Sequence, residues 1–266
     1  MSLSKGELYT FLTNKSGKGK KKTLVACIKG TKSQDIIDVI CKIPVEKRKL
    51  VKEITLDMAN NMQLASRMVF PEAYLVTDRF HVVKLVLEAL QHLRIKYRWE
   101  EIEKENLAIK LAKEQNIKYV PTTFKNDDTP KQLLARTRYI IAKKQSQWSE
   151  SQKERAELLF ANYPLLEQAY KHTMEFRNIY ELTSKEEAKQ KILNWISKTK
   201  LLQLTVFNTV ANSLSYHLET IINFFMKRNT NANAESFNSK IKLFTANQRG
   251  VVDVKFFLFR LEKLFS

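Results

Sequence analysis

The stretch Glu53–Lys84, EITLDMANNMQLASRMVFPEAYLVTDRFHVVK, holds two short apolar runs that each end on an aspartate, Asp57 and Asp78. Both runs, within "KEITLDM" and "AYLVTD", are rich in apolar and β-branched residues and read as strands. Between them, Met62, Ala65, Met68 and Val69 recur on one helical face over Ala59–Phe70, and Pro71 stops the helix. A long helix follows from Phe80 through "VVKLVLEALQHL". In an open sheet with intervening helices, ligands and metals gather at the carboxyl ends of the strands, where both aspartates stand. An aspartate between strand and helix is equally an N-cap, accepting backbone N–H bonds. Taken singly, each aspartate favours the cap.

Working outward, "GELYTFLTNK" and "TLVACIKG" are β-rich runs separated by the Gly/Ser/Lys turn "SGKGKKK", which predicts a hairpin. In "SQDIIDVICKIPVEKRK", Ile36, Ile37, Ile40 and Cys41 recur at helical spacing behind Ser33, and Pro44 ends the run. The order is therefore strand, strand, helix, strand, helix, strand, helix. From Ile95 to Leu218 the texture becomes charged, amphipathic and helical. A polar break containing Pro121 and Pro130 divides it, and the capping-box pattern Ser184–Glu187 opens a later helix. Near the C-terminus Asn231 and Asn233 offer turns and an N-cap. Phe237, Ile241 and Phe244 then mark an apolar face, with Glu235, Asn238 and Lys242 on the other side.

Composition narrows the function. With 266 residues and 44% hydrophobic content, the chain can bury one large core or two modest ones. No apolar run of about 18 residues and no signal-peptide pattern is present, so membrane insertion and secretion are not expected and a cytoplasmic location is. Cys27 and Cys41 lack the partners of a disulfide framework or zinc site and read as small core residues. Lys and Arg number 46 against 28 Asp and Glu, a net +18 spread along the chain. That excess points to a polyanionic partner, or else to a solvated basic surface.

Glu235 is the late carboxylate able to share Mg²⁺ with a strand-end aspartate; it also suits the positive end of a helix dipole. His81, three residues after Asp78, is placed to contact a phosphate or brace the carboxylates, or to be a structural histidine. His92, His172 and His217 show no ligating pattern, and Trp99, Trp148 and Trp195 fit a core better than a base-stacking platform. "SGKGKKK" lacks the order of a nucleotide-binding loop.

"EITLDMANNM", "FPEAYLVTDRFHVVKL" and "NTNANAESFNSKIK" closely resemble the catalytic domain of bacterial insertion-sequence transposases of the ISL-three type, members of the DDE superfamily. The likeness runs over nearly the whole chain and is most specific at Asp78–His81 and Asn233–Glu235. It implies an α/β, ribonuclease-H-like mixed sheet interrupted by a large all-helical insertion. The corresponding division is 1–94 for the first part of the catalytic domain, 95–218 for the insertion, and 219–266 for the helices completing the domain.

The resemblance also implies roles. Asp57 matches the second catalytic aspartate and Glu235 the final glutamate, the two metal ligands. Asp78 and His81, with Asn238, match supporting positions beside the metal site, and Arg79, Lys240 and Lys242 are expected to hold DNA. The cofactor would be Mg²⁺ or Mn²⁺, driving two-metal strand cleavage and transfer at insertion-sequence ends. DNA ends and target DNA are the implied partners, with a homo-oligomer as the active form, no membrane partner, and a nucleoid-associated location.

One departure stands out: the family's first aspartate belongs on a first strand just ahead of "SLSKGELYT". Before residue 50 the only acids are Glu7, Asp35, Asp38 and Glu46, and none matches. The expectation is a truncated and inactive copy lacking that strand, or one completed by a separately encoded N-terminal part. The alternative is a non-catalytic, basic nucleic-acid-binding protein.

Overall fold

The computed structural model is mixed α/β and describes residues 2–4 (backbone only), 7–17, 20–202, 204–228, 230, 232–247, 251 and 253–266. The chain forms two compact units, residues 1–81 with 219–266, and residues 82–218.

The first unit opens with β1 (Ser2–Ser4), β2 (Glu7–Thr13) and β3 (Leu24–Lys29), then α1 (Ser33–Ile40) and α2 (Val45–Lys49). It continues with β4 (Glu53–Leu56), α3 (Asn60–Val69) and β5 (Tyr74–Thr77). β1, β2 and β3 make an antiparallel sheet in that order, and β4 and β5 a parallel pair. The expected hairpin is present, in the register Tyr9↔Lys29 to Leu12↔Ala26.

Strand alternation gives the hairpin two apolar faces. Tyr9, Phe11 and Cys27 pack with Phe237, Ile241, Phe257 and Leu261. Leu12, Ala26 and Ile28 pack with Ile40, Val69 and Phe70. Gly30 ends β3 at φ +103°, a conformation open to glycine, and a Cβ there would strike the Asp35 carboxylate.

Several local expectations are corrected. Ser33 is the first helical residue of α1 and Lys32 the cap, and Pro44 caps the unforeseen α2. The buried residues of α3 are Gln63, Ala65 and Val69, whereas Met68 is exposed. The i, i+4 pair Ala65 and Val69 sets the inward face, and Met68 lies about 100° from Val69 around the helix. Cys41 is exposed and free, and only Cys27 is partly enclosed, its thiol pushed up to about 11 by burial. Trp99 is 60% exposed, unlike Trp148 and Trp195.

The second unit is helical: α4 (Arg79–Glu114, whose first turn belongs to the first unit), α5 (Pro130–Arg136), α6 (Glu150–Asn162), α7 (Pro164–Ile179), α8 (Lys185–Leu201) and α9 (Thr205–Tyr216). Ser184 caps α8 by accepting the Glu187 N–H, as its pattern predicts. The polar break folds around Asp128, which is fully buried. Its carboxylate meets Arg136 and, at 3.0 Å, Arg155. The chain then returns to the first unit through α10 (Leu218–Ile222), α11 (Phe224–Lys227), α12 (Ala232–Asn247) and α13 (Val254–Phe265). No described helix is long and apolar enough to cross a membrane.

His172 in the helical core stacks on Trp195 with centroids 4.2 Å apart and bonds Thr199 Oγ1 at 2.7 Å. Burial lowers its pKa from 6.5 to about 4. The unfolded chain therefore binds this proton more readily, so the contribution is intact above pH 6.5 and lost as pH falls towards 4. Urea midpoints should drop across that window, and His172→Phe, which keeps the stack, should flatten the drop.

Candidate functional site

The site is built on the β4–β5 pair. Its parallel register, Glu53↔Tyr74 through Leu56↔Thr77, sets the next residues of each strand, Asp57 and Asp78, side by side. The Asp78 N–H donates to Leu56 O at 2.8 Å, carrying the ladder one step past the strands. Asp57 Oδ1 accepts from Ala59 N at 3.0 Å, a local turn leading into α3, whose cap residue is Ala59. Among the described residues this is the one hydrogen bond on Asp57, which leaves its carboxylate with further acceptor capacity. Asp78 is buried and immediately precedes α4.

The returning segment is fastened to β5. Thr220 and Thr77 share a buried 2.7 Å hydroxyl hydrogen bond, and Asn223 Nδ2 donates to Leu75 O at 2.9 Å. From there α12 brings Glu235, in its first turn, to His81, in the first turn of α4. His81 Nε2 and Glu235 Oε1 lie 3.8 Å apart. Asp78, His81 and Glu235 each present a donor atom within 4.8 Å of the others, so the three could hold a metal ion. Asp57 is not one of this trio.

Asp57 instead lines a groove of about 740 Å³ together with Asn238 and Ala234 of α12. Its other walls come from β2 and β4 and from the apolar residues Ile28, Ile36, Ile40, Val69 and Phe70 beneath them. Among the described residues no ladder joins β2 to β4. A polar contact crosses between them at Lys15, just past β2, whose Nζ meets Glu53 Oε1 at 3.0 Å and Thr55 Oγ1 at 2.6 Å.

The apolar face of α12 is as read: Phe237 and Ile241 are fully buried and Phe244 packs against them. Asn233 is a helical residue of α12 and not its cap, and Asn231 lies outside the described residues. Arg79, Lys240 and Lys242 are exposed. The early acids are engaged elsewhere: Glu7 pairs with Lys29 at 2.7 Å and accepts from Tyr9, and Asp38 accepts from Gln34. Asp35 and Glu46 lie in the first turns of α1 and α2. Sequence reading passed over Lys15, Thr220 and Asn223. No local pattern marks the last two, because their partners are 143 and 148 residues away.

A protein-family model described as "Transposase", of the ISL3-type DDE group, matches residues 1–261. Comparison with curated proteins and with solved structures found no match.

The turn made by Asp57 needs one side-chain oxygen acceptor, which asparagine also carries. Asp57→Asn should therefore change stability by less than about 0.5 kcal/mol, whereas Asp57→Ala, which removes the acceptor, should cost about 0.5–1.5 kcal/mol. Denaturant melts of the two variants measure the difference, and a large loss in Asp57→Asn would contradict it.

Proposed function

The chain belongs to the ISL3-type family of DDE transposases, and we propose that Asp57 and Glu235 are its metal-binding catalytic carboxylates. The observation that carries this is the return of Glu235, after the whole helical unit, to within 4.8 Å of Asp78, the register neighbour of Asp57. Oxygen donors on two strand ends and a helix match the hard-ligand chemistry of Mg²⁺ or Mn²⁺. Such ions, when bound, activate a water or 3′-hydroxyl and stabilise the leaving oxygen of a phosphodiester.

The side chains divide the remaining work. Asp57 and Glu235 hold the ions, while Asp78 and Asn238 brace the carboxylates from the adjacent strand end and from the next turn of α12. Arg79, Lys240 and Lys242 neutralise phosphates and so position insertion-sequence ends and target DNA without reading sequence. In this reading the fold is ribonuclease-H-like, with residues 95–218 as its helical insertion. The groove between β2 and β4 is then the place for a further strand carrying a third carboxylate, and the active form is a homo-oligomer.

The chain should bind DNA ends, and their cutting with Mg²⁺ or Mn²⁺ should require both carboxylates. Any cutting should vanish in Asp57→Asn and in Glu235→Gln. Cutting that survives Asp57→Asn would overturn the assignment. DNA binding with no metal-dependent cutting even after a third-carboxylate strand is supplied would favour a purely binding protein.

The basic surface makes a second expectation. Affinity for duplex DNA should fall steeply with salt, and replacing Lys240 and Lys242 by Ala should reduce the log–log slope by about 2. Titrations at several salt concentrations read this directly, and an unchanged slope would remove both lysines from the DNA surface.

A further inference from the structure

The imidazole of His81 adds a nitrogen donor to a site otherwise made of carboxylate oxygens. Its Nε2 lies 3.8 Å from Glu235 Oε1, too far for a hydrogen bond. The gap is nonetheless within the span of about 4.2 Å open to two ligands each roughly 2.1 Å from one ion. Asp78 supplies the third donor from a fixed position, since it is buried and its backbone N–H is tied to Leu56 O. His81 follows it by three residues on the first turn of α4, so both side chains emerge from one end of that helix.

We propose that Asp78, His81 and Glu235 form a mixed nitrogen and oxygen site for a transition-metal dication of the Mn²⁺ or Zn²⁺ class, with His81 as a ligand. Imidazole is a favoured ligand of Zn²⁺, and Mn²⁺ accepts it beside carboxylate oxygens, whereas Mg²⁺ favours oxygen donors throughout and retained water. His81 and Glu235 remain 33% and 44% exposed, so water or a phosphate oxygen can complete the coordination, as at an open catalytic site. The site shares Glu235 with the proposed transposase centre and rests on that reading for its purpose, but its existence is read from binding alone.

The chain has four histidines, which makes imidazole NMR a direct test. His92 is exposed and reports non-specific binding; His172 and His217 are buried and report the fold. Mn²⁺ added to the full chain should broaden the His81 signals well before those of His92, and Zn²⁺ should shift them. A large excess of Mg²⁺ should not reverse either effect. His81→Ala and Glu235→Gln should weaken Zn²⁺ binding by calorimetry more than about tenfold, and Asp57→Asn should leave the His81 response in place.

A His81 signal indifferent to Mn²⁺ and Zn²⁺, or one restored by Mg²⁺, overturns the site. So does loss of the His81 response in Asp57→Asn while the buried histidines keep their shifts. If His81→Ala disturbs His172 or His217, the order of broadening in the unmodified chain decides. Asp57-dependent DNA cutting without a His81 response would refute this site and keep the proposed function. A His81 response without such cutting would do the reverse.

Discussion

The parallel pairing of β4 with β5 is the constraint from which the site follows. Side chains alternate across a sheet, so a slip of one residue in the Leu56↔Thr77 register would turn one aspartate to the opposite face. With the register held, Asp57 and Asp78 leave the sheet together, one into the turn before α3 and the other at the head of α4. The Asp78 N–H to Leu56 O bond secures the last step of the ladder, where the strands would otherwise be free to splay. Thr77, buried and one residue before Asp78, also shares a hydrogen bond with Thr220, so the pair that places the aspartates locates the returning chain as well.

The hairpin plays the complementary part. Because β2 and β3 are apolar on both faces, they pack with α12 and α13 on one side and with α1 and α3 on the other. Phe237 and Ile241 are drawn into the first of these cores, and the polar side of α12 is thereby left for Glu235 and Asn238. Burial of large apolar side chains, each contributing about 1.5–3 kcal/mol, thus fixes the rotation of the helix that carries the late carboxylate. The same two-sided burial leaves one side of the hairpin facing the groove, and Lys15, just past β2, bridges it to β4. Glu53 Oε1 and Thr55 Oγ1 both accept from the lysine ammonium, which ties the end of β2 to β4.

The two units handle buried polarity differently. In the helical unit, Asp128 is enclosed between two arginines and His172 is enclosed by a ring stack and one hydroxyl bond, which serves packing. In the first unit, the polar groups of the trio sit at a surface: His81 and Glu235 are partly exposed over a buried Asp78. A donor cluster open to solvent suits exchange of water and ligand, whereas an enclosed pair suits rigidity.

Short-range order is what the sequence by itself determined. Alternation in "GELYTFLTNK" and "TLVACIKG", the stripe Phe237, Ile241 and Phe244, the cap at Ser184, and the aspartates at two strand ends all follow from periodicities within a few residues. Where such periods are ambiguous the reading slipped, as with Met68 on the wrong side of α3, Cys41 and Trp99 at the surface, and Asn233 inside its helix. Only the tertiary structure decided that Glu235 meets Asp78 and His81, that Thr220 locks onto Thr77, and that a groove separates β2 from β4. Those contacts join residues well over a hundred positions apart, or strands in separate ladders. Their partners are chosen by which apolar faces bury against each other, and no local pattern of residues encodes that choice.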